Sequence, residues 1–520
     1  MSSLQQIIRH TVQLHGNRAA TRFAGRTRTW SELQNRIARL AGGLHALGIE
    51  EGDRVAVLAL NSDRYYEFYF GAAWAGAVFV PVNTRLAPAE FVHWLNDSGS
   101  KALFVDDAFL ETVSGIRDQL ETVGRFIYMG DGDLPDGCIA FEDLVAKHAP
   151  AQPSGRCNDD MVGLFYTGGT TGKSKGVMLS HRNLAFNVLQ SLPYFQISEE
   201  DVFLHTAPMF HIADGFCCMM TATMGCTNVI VPAFEPVRVL DTIQNDKVTA
   251  ALLVPTMINV IVNFPALDNY DLSKLQKLLY GASPMPEAVI VKALEVIPHV
   301  NFYQAYGQTE ASPIATVMGP RYHTTSGPHA GKLNGAGHAV AGVDLVILDE
   351  EGNPVPTGEV GEVCIRGENV MLGYWNLPEV TAETLRDGWL HTGDGGRLDE
   401  EGMLYIVDRV KDMIVSGGEN VYSAETEQAV YQHPAVAECA VIGIPHDKWG
   451  EQVHAIVVLK PGHELSEQEL IDHCKTLIAG FKCPRSVAFR TEPLPLSGAG
   501  KILKKDLRAP YWEGHSRNVS

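Results

Sequence analysis

The sequence predicts an α/β fold with a large N-terminal domain and a smaller α+β C-terminal domain. Three observations predict it. Short β-branched apolar segments alternate with helix-period segments over most of the 520 residues. Near residue 340 the texture changes to short strands separated by Gly/Pro/Asp turns. After about residue 408, strands and helices alternate again on a smaller scale.

Taken in order, Thr29-Trp30-Ser31-Glu32 is a capping box that opens an amphipathic helix toward Leu47. Val55–Leu60, Val78–Val82, Ala102–Val105, Ala251–Val254 and Lys277–Tyr280 read as buried strands with helical patterns between them. This βαβ grammar implies a largely parallel sheet covered by helices. Asp344–Leu348, Val360–Ile365 and Met403–Val407 are strands joined by turns such as Glu351-Gly352-Asn353-Pro354, which suggests antiparallel hairpins and a small barrel. Ser466-Glu467-Gln468-Glu469 opens a further helix. A boundary at 408–411 divides the chain into residues 1–408 and residues 409–520.

Composition narrows the function. Apolar residues make up 45% and charged residues 20%, as in ordinary globular proteins. Lys plus Arg number 41 against 61 Asp plus Glu, and the formal charge of −20 argues against a nucleic-acid or anionic-membrane binder. Nine cysteines without a C-x-x-C pair read as packed thiols in a reducing compartment and argue against zinc. The N-terminus has no signal-peptide pattern, and no apolar run reaches the roughly 18 residues of a transmembrane segment. A cytoplasmic protein is expected. Nothing in the chain sets its oligomeric state, and a homodimer is allowed.

The segment most suggestive of chemistry is Tyr166-Thr167-Gly168-Gly169-Thr170-Thr171-Gly172-Lys173-Ser174-Lys175-Gly176. Glycines let backbone N–H groups approach an anion, threonine hydroxyls donate to its oxygens, and lysine supplies charge. The register is not that of a Walker A loop. Reading back from Gly172-Lys173-Ser174, the first glycine should stand at 167, which is Thr. Walker A also runs directly into a helix, whereas Gly176–Ser180 reads as a strand, with a helix beginning after Ser180-His181-Arg182-Asn183. A glycine-rich surface loop is the plain alternative.

The segment resembles the phosphate loop of the class I adenylate-forming enzymes, which include acyl-CoA and aryl-CoA synthetases, luciferases and adenylation domains. Gly168 stands where that family usually has Ser, and Ser174 where it usually has Pro. Four further segments match in order: Tyr306-Gly307-Gln308-Thr309-Glu310, Gly388–Asp394, Asp408–Ile414 running into Gly417-Gly418-Glu419-Asn420, and Gly500–Lys504. The resemblance spans essentially the whole chain and points most closely to bacterial fatty-acyl-CoA synthetases. It implies an N-terminal domain of two α/β subdomains plus a small β-barrel, and a mobile C-terminal lid. It also implies the activity: ATP converts a carboxylic acid into an acyl-adenylate, and coenzyme A displaces AMP, with Mg²⁺ as the metal.

The resemblance assigns roles by position. Thr167, Gly168, Gly169, Thr170, Thr171, Gly172 and Lys175 would cradle phosphate. Lys501 would bring positive charge to the α-phosphate and the substrate carboxylate. By composition alone it is one lysine of a basic tail, Lys501-Ile502-Leu503-Lys504-Lys505. Glu310 would hold Mg²⁺, Thr309 would touch phosphate, and Tyr306, followed by Gly307, would pack on adenine. Asp394 would accept from both ribose hydroxyls, and Arg409 would reach ribose or phosphate. Lys411 would be the hinge, and Ser416, Gly417 and Gly418 would meet the pantetheine arm. Gly281 and Ala282 with Gln304 and Ala305 would line the adenylate and acyl region, and His211 would gate the acyl path. Asp214 reads either as a pocket residue that takes a hydroxyl or as a turn or cap residue. The expected substrate is a medium- or long-chain fatty acid, with an aryl or cinnamate-type acid, or loading of a carrier protein, as alternatives. A P-loop phosphohydrolase is disfavoured by the loop register. An inactive adenylate-binding paralogue is disfavoured by the presence of Lys501, Glu310 and Asp394.

Overall fold

The structure is a computed structural model that describes residues 2–167, 174–409, 412–416, 419–446, 448–498 and 500–513, with the Arg409 side chain outside the described set. Two large mixed sheets dominate it. The first runs His338–Ala339, Ile314–Met318, Asn301–Gly307, Lys277–Gly281, Ala250–Leu252, Val202–His205, Thr227–Ile230, Ala19–Phe23, Arg26–Thr29. Its central pairs are parallel. The second is built around the parallel strands Val78–Pro81, Arg54–Leu58, Ala102–Val105 and Arg125–Tyr128. It is extended by the antiparallel pair Met161–Thr167 and Lys175–Ser180, and then by Gly373–Tyr374. The apolar runs read as buried strands are these parallel cores, because a parallel strand covered on both faces needs no polar side.

The helix Asp63–Ala75 is buried at every residue. Aromatic and alanine side chains all round its surface suit it to an interior position. Ser62 caps it by accepting from the Tyr65 N–H, and Gly76, at φ 80°, ends it. Two of its tyrosine hydroxyls are satisfied within the core. The Tyr66 hydroxyl donates to Cys218 O at 2.9 Å, and the Tyr69 hydroxyl to Met209 O at 2.5 Å. Its buried carboxylates are paired as well, Asp63 with Arg26 and Arg28, and Glu67 with Arg36 at 2.7 Å.

Past residue 340, where the turn-rich segment suggests antiparallel hairpins and a small barrel, five antiparallel strands form a half-barrel: Val343–Leu348, Gly361–Gly367, Leu385–Arg386, Trp389–Leu398 and Leu404–Arg409. A separate C-terminal α+β unit holds Ile414–Ser416, Glu419–Val421, Val436–His446, Gly450–Leu459 and Ser486–Arg490 in one sheet, with the helices Ser423–Tyr431 and Glu467–Lys475. Both predicted capping boxes form, at Thr29/Glu32 and at Ser466/Glu469. The helix after the phosphate loop begins at His181, earlier than expected, because Ser180 caps it by accepting from the Asn183 N–H. Among the described residues, no helix is long and apolar enough to cross a membrane.

Candidate active site

The strand Asn301–Gly307 carries one wall of the cleft. Residues 302, 304 and 306 share a face by the alternation of the pleat. The Tyr306 hydroxyl donates to Asp394 Oδ2 at 2.8 Å, which joins the first mixed sheet to the half-barrel. Asp394 is buried, its N–H donates to Thr392 Oγ1, and its backbone stands opposite Arg409 in the antiparallel register. Gly281 ends the neighbouring parallel strand and pairs with Ala305, and Ala282 follows in the left-handed region at φ 65°. Gly307 pairs with Ile314 across a bulge.

After that bulge, Thr309–Ala311 make a short 3₁₀ turn that buries Thr309 and Glu310. The Glu310 carbonyl accepts the Met371 N–H at 2.8 Å, and its Oε1 accepts the Tyr374 hydroxyl at 2.9 Å. The Lys175 ammonium lies 4.4 Å from the centroid of the same Tyr374 ring. Thr167 pairs with Lys175 at the open end of the hairpin, so the ends of the phosphate loop are fixed beside Glu310. One buried carboxylate suits a hard cation that keeps most of its shell for water and phosphate oxygens, as Mg²⁺ does. Gly168, Gly169, Thr170, Thr171, Gly172, Lys411, Gly417 and Gly418 lie outside the described residues, as does the Arg409 side chain.

His211 is the N-cap of the helix Ile212–Met224, and its Nδ1 accepts the Ala213 N–H at 3.2 Å. That bond leaves the proton of the neutral ring on Nε2. Desolvation pushes the imidazole down to about 3, and the Lys501 ammonium acts in the same direction. The charge of Lys501 is thus felt at His211 although it lies 290 residues further along the chain. A docked turn holds Lys501. The Ser497 N–H donates to Lys501 O at 2.6 Å, and the Lys501 N–H donates to Ser497 Oγ at 3.0 Å. Arg85 donates to Ser497 O at 2.8 Å. A Cβ on Gly498 would stand 2.4 Å from Asn83 Oδ1, so a larger residue there would have to displace the Asn83 side chain, and Gly500 abuts Val254 and Thr256. Gln428 adds a second contact across the cleft. It accepts the Glu287 N–H at 3.0 Å and donates to Met285 O at 3.3 Å.

Several predicted residues fall elsewhere. Ser416 belongs to the C-terminal sheet, where it pairs with Glu419 and Gly450 and is buried. Asp214 does not cap its helix. It sits in the first turn, fully buried, with Oδ2 at 3.0 Å from His205 Nδ1, whose Nε2 lies 2.9 Å from Asn228 Oδ1. Lys504 is not a tail lysine either. It is ion-paired with Glu427 at 2.8 Å, and it also donates to Ser423, which in turn bonds Asp408. Sequence reasoning missed Tyr374, Asn83 and Arg85. The sequence marks none of them beyond the Gly373-Tyr374-Trp375 that closes the second sheet.

The model of the AMP-binding enzyme family matches residues 8–375, and that of the AMP-binding enzyme C-terminal domain matches residues 425–501. The chain belongs to the AMP-binding enzyme family. It is an adenylate-forming, acid-activating ligase. Among relatives of this family, it is 41% identical to a feruloyl-CoA synthase of Amycolatopsis sp over 493 residues, 95% of this chain and 96% of that one. It is 37% identical to a fatty acid–[acyl-carrier-protein] ligase of Streptomyces coeruleorubidus, over 99% of this chain and 98% of that one. An anthranilate CoA ligase in complex with anthranoyl-AMP superimposes with a TM-score of 0.90 at 28% identity, covering 98% of this chain and 97% of that one. The expected closeness to fatty-acyl-CoA synthetases needs correction, since long-chain-fatty-acid–CoA ligases of Mycobacterium tuberculosis stand at 36%. The motifs behind that expectation are those the resemblance assigns to nucleotide and phosphate, so they do not discriminate the acyl group.

Proposed function

We propose that this member of the family is an acid–CoA ligase for aryl or cinnamate-type acids. The observation that supports the ligase chemistry is the docked turn that carries Lys501, whose charge acts on His211, beside the paired sites Tyr306–Asp394 and Tyr374–Glu310 of the large domain. The feruloyl-CoA and anthranilate relatives support the aryl branch.

A carboxylate is a poor acyl donor because oxide leaves badly. In the proposed first step a substrate carboxylate oxygen attacks the α-phosphorus of ATP, the bond to the bridging oxygen breaks, and pyrophosphate departs. Negative charge gathers on the α-phosphate, and Lys501 supplies the opposing charge in a site shielded from water. His211, neutral with its proton on Nε2, donates to the acid and orients it. Asp394 accepts from both ribose hydroxyls while Tyr306 holds the carboxylate in place. Glu310 would hold Mg²⁺, which neutralises phosphate charge when bound.

The second step is thiol attack on the acyl carbon with loss of AMP. We place the domain boundary between residues 408 and 409 and the hinge at Lys411. Rotation there withdraws Lys501 and brings Ser416, Gly417 and Gly418 to the pantetheine arm. The place of Ser416 in the C-terminal sheet, on the same unit as Lys501, is compatible with this exchange. A CoA-thioester product screen by mass spectrometry, run across fatty acids, benzoates and cinnamates, tests the reading. Aryl or cinnamoyl thioesters should dominate. Dominant fatty-acyl thioesters, or products formed only on a carrier protein, would overturn it.

A further inference from the structure

Tyr166 and Gly176 face each other in the hairpin, one pair before Thr167 and Lys175 at the ends of the phosphate loop. The Tyr166 ring is buried and stacked on Trp94 at 23°, with centroids 4.8 Å apart. Its hydroxyl donates to Asp97 Oδ2 at 2.5 Å. Burial, then the Asp97 carboxylate, hold this phenol well above its usual range, so it stays a donor. On the returning strand, a Cβ on Gly176 would stand 3.2 Å from both the Tyr166 ring and Trp375. The Trp375 N–H donates to Gly176 O at 2.7 Å, and its indole N–H donates to Asp97 O at 2.9 Å. Asp97 therefore reaches both strands of the hairpin, one through its carboxylate and the other through its carbonyl and Trp375.

Its own helix gives Asp97 no reason to be there. It is the last residue of Pro88–Asp97, and a carboxylate at a helix C-terminus opposes the helix dipole. The cation that this end favours comes from another element. Arg54 donates to Ser98 O at 2.7 Å and to Gly99 O at 3.2 Å, and its guanidinium lies 5.3 Å from the centroid of the Trp375 ring. The carboxylate is thus explained by the hairpin it holds, 69 residues away, and not by the helix that carries it.

We propose that Asp97 is a positioning residue for the phosphate loop, fixing the Tyr166 and Gly176 strands at one separation so that the loop ends are set for a triphosphate. The inference rests on the reading of Tyr166–Gly176 as the phosphate loop, and none of its three anchoring side chains, Asp97, Tyr166 and Trp375, touches nucleotide in this account.

The test is calorimetric binding of ATP and of adenosine, with magnesium present, to the full chain and its variants. Asp97→Ala should weaken ATP about tenfold, one hydrogen bond's worth, and leave adenosine within about twofold. Asp97→Asn keeps an acceptor for the phenol and should recover most of the loss. Tyr166→Phe should weaken ATP to a similar degree, and the double variant Asp97→Ala/Tyr166→Phe should be no weaker than the poorer single one, since both delete the same bond. A bond that only stabilises the fold would lower the unfolding midpoint without separating ATP from adenosine. Equal losses for the two ligands, or no loss for either, would overturn the proposal. Lys175→Ala separates it from the reading beneath it. If that change weakens ATP while the Asp97 and Tyr166 variants do not, the loop binds phosphate and Asp97 does not position it. If none of the three weakens ATP, the phosphate-loop reading fails and the proposal with it.

Discussion

The Tyr374 hydroxyl donates to Glu310 Oε1 at 2.9 Å while the Lys175 ammonium lies against the face of the same ring, 4.4 Å from its centroid. One side chain thus couples the carboxylate proposed for Mg²⁺ to the lysine that closes the phosphate loop. Gly373–Tyr374 can do this because it pairs with Met178 and Val177 of the strand that carries Lys175.

Tyr374→Phe keeps the ring under Lys175 and removes the donor to Glu310. A hydrogen bond to a charged group contributes roughly 1.5–3 kcal/mol, so pyrophosphate exchange should fall about tenfold or more. The magnesium concentration for half-maximal exchange should rise, with little change in unfolding midpoint. An unchanged magnesium dependence would show that Tyr374 does not position Glu310.

Arg85 holds the lysine-bearing turn by one bond to Ser497 O from an exposed position. Arg85→Ala should slow exchange several-fold, in keeping with about 1 kcal/mol for a single bond. Thioester formation from pre-made acyl-adenylate should be unaffected, because that step does not need the docked turn. Parallel half-reaction assays check this.

Stability should fall on mild acidification. His181, His323 and His454 are buried, and desolvation holds each at about 4. An unfolded imidazole titrates near 6.5, so between about pH 6.5 and 4 the unfolded chain takes up protons that the folded chain refuses. Each ring then costs up to about 1.4 kcal/mol per pH unit. Asp106 opposes this. Burial raises its carboxyl to about 6, so it contributes stability that is fully present below its unfolded value of 3.8 and lost as pH rises through about 6. Three histidines outweigh one aspartate. The denaturant midpoint should be lower near pH 5 than near pH 7, and the reverse order would contradict the assignment.

Much of this was legible in the sequence, for local reasons. Capping boxes at Thr29 and Ser466 announce themselves within four residues, and the parallel strands through their continuous apolar character. The helix start at His181 was missed because the cap pair Ser180 and Asn183 was taken as lying wholly before the helix. Tyr374 and Glu310 stand 64 residues apart, and Arg85 and Ser497 412 residues apart, so no periodicity links them. Asp214 was misplaced for the same reason, since its partner His205 lies on another element. Lys504 looked like part of a basic tail because its partner Glu427 is remote in sequence. The acyl preference was illegible because the motifs that stand out are those proposed to serve the nucleotide.

The most direct measurement is Lys501→Ala assayed in each half-reaction separately. If this lysine neutralises charge on the α-phosphate, acid-dependent pyrophosphate exchange should drop by roughly two to three orders of magnitude. Thioester formation from pre-made acyl-adenylate should stay within a few-fold of wild type. Equal losses in both half-reactions would contradict the account.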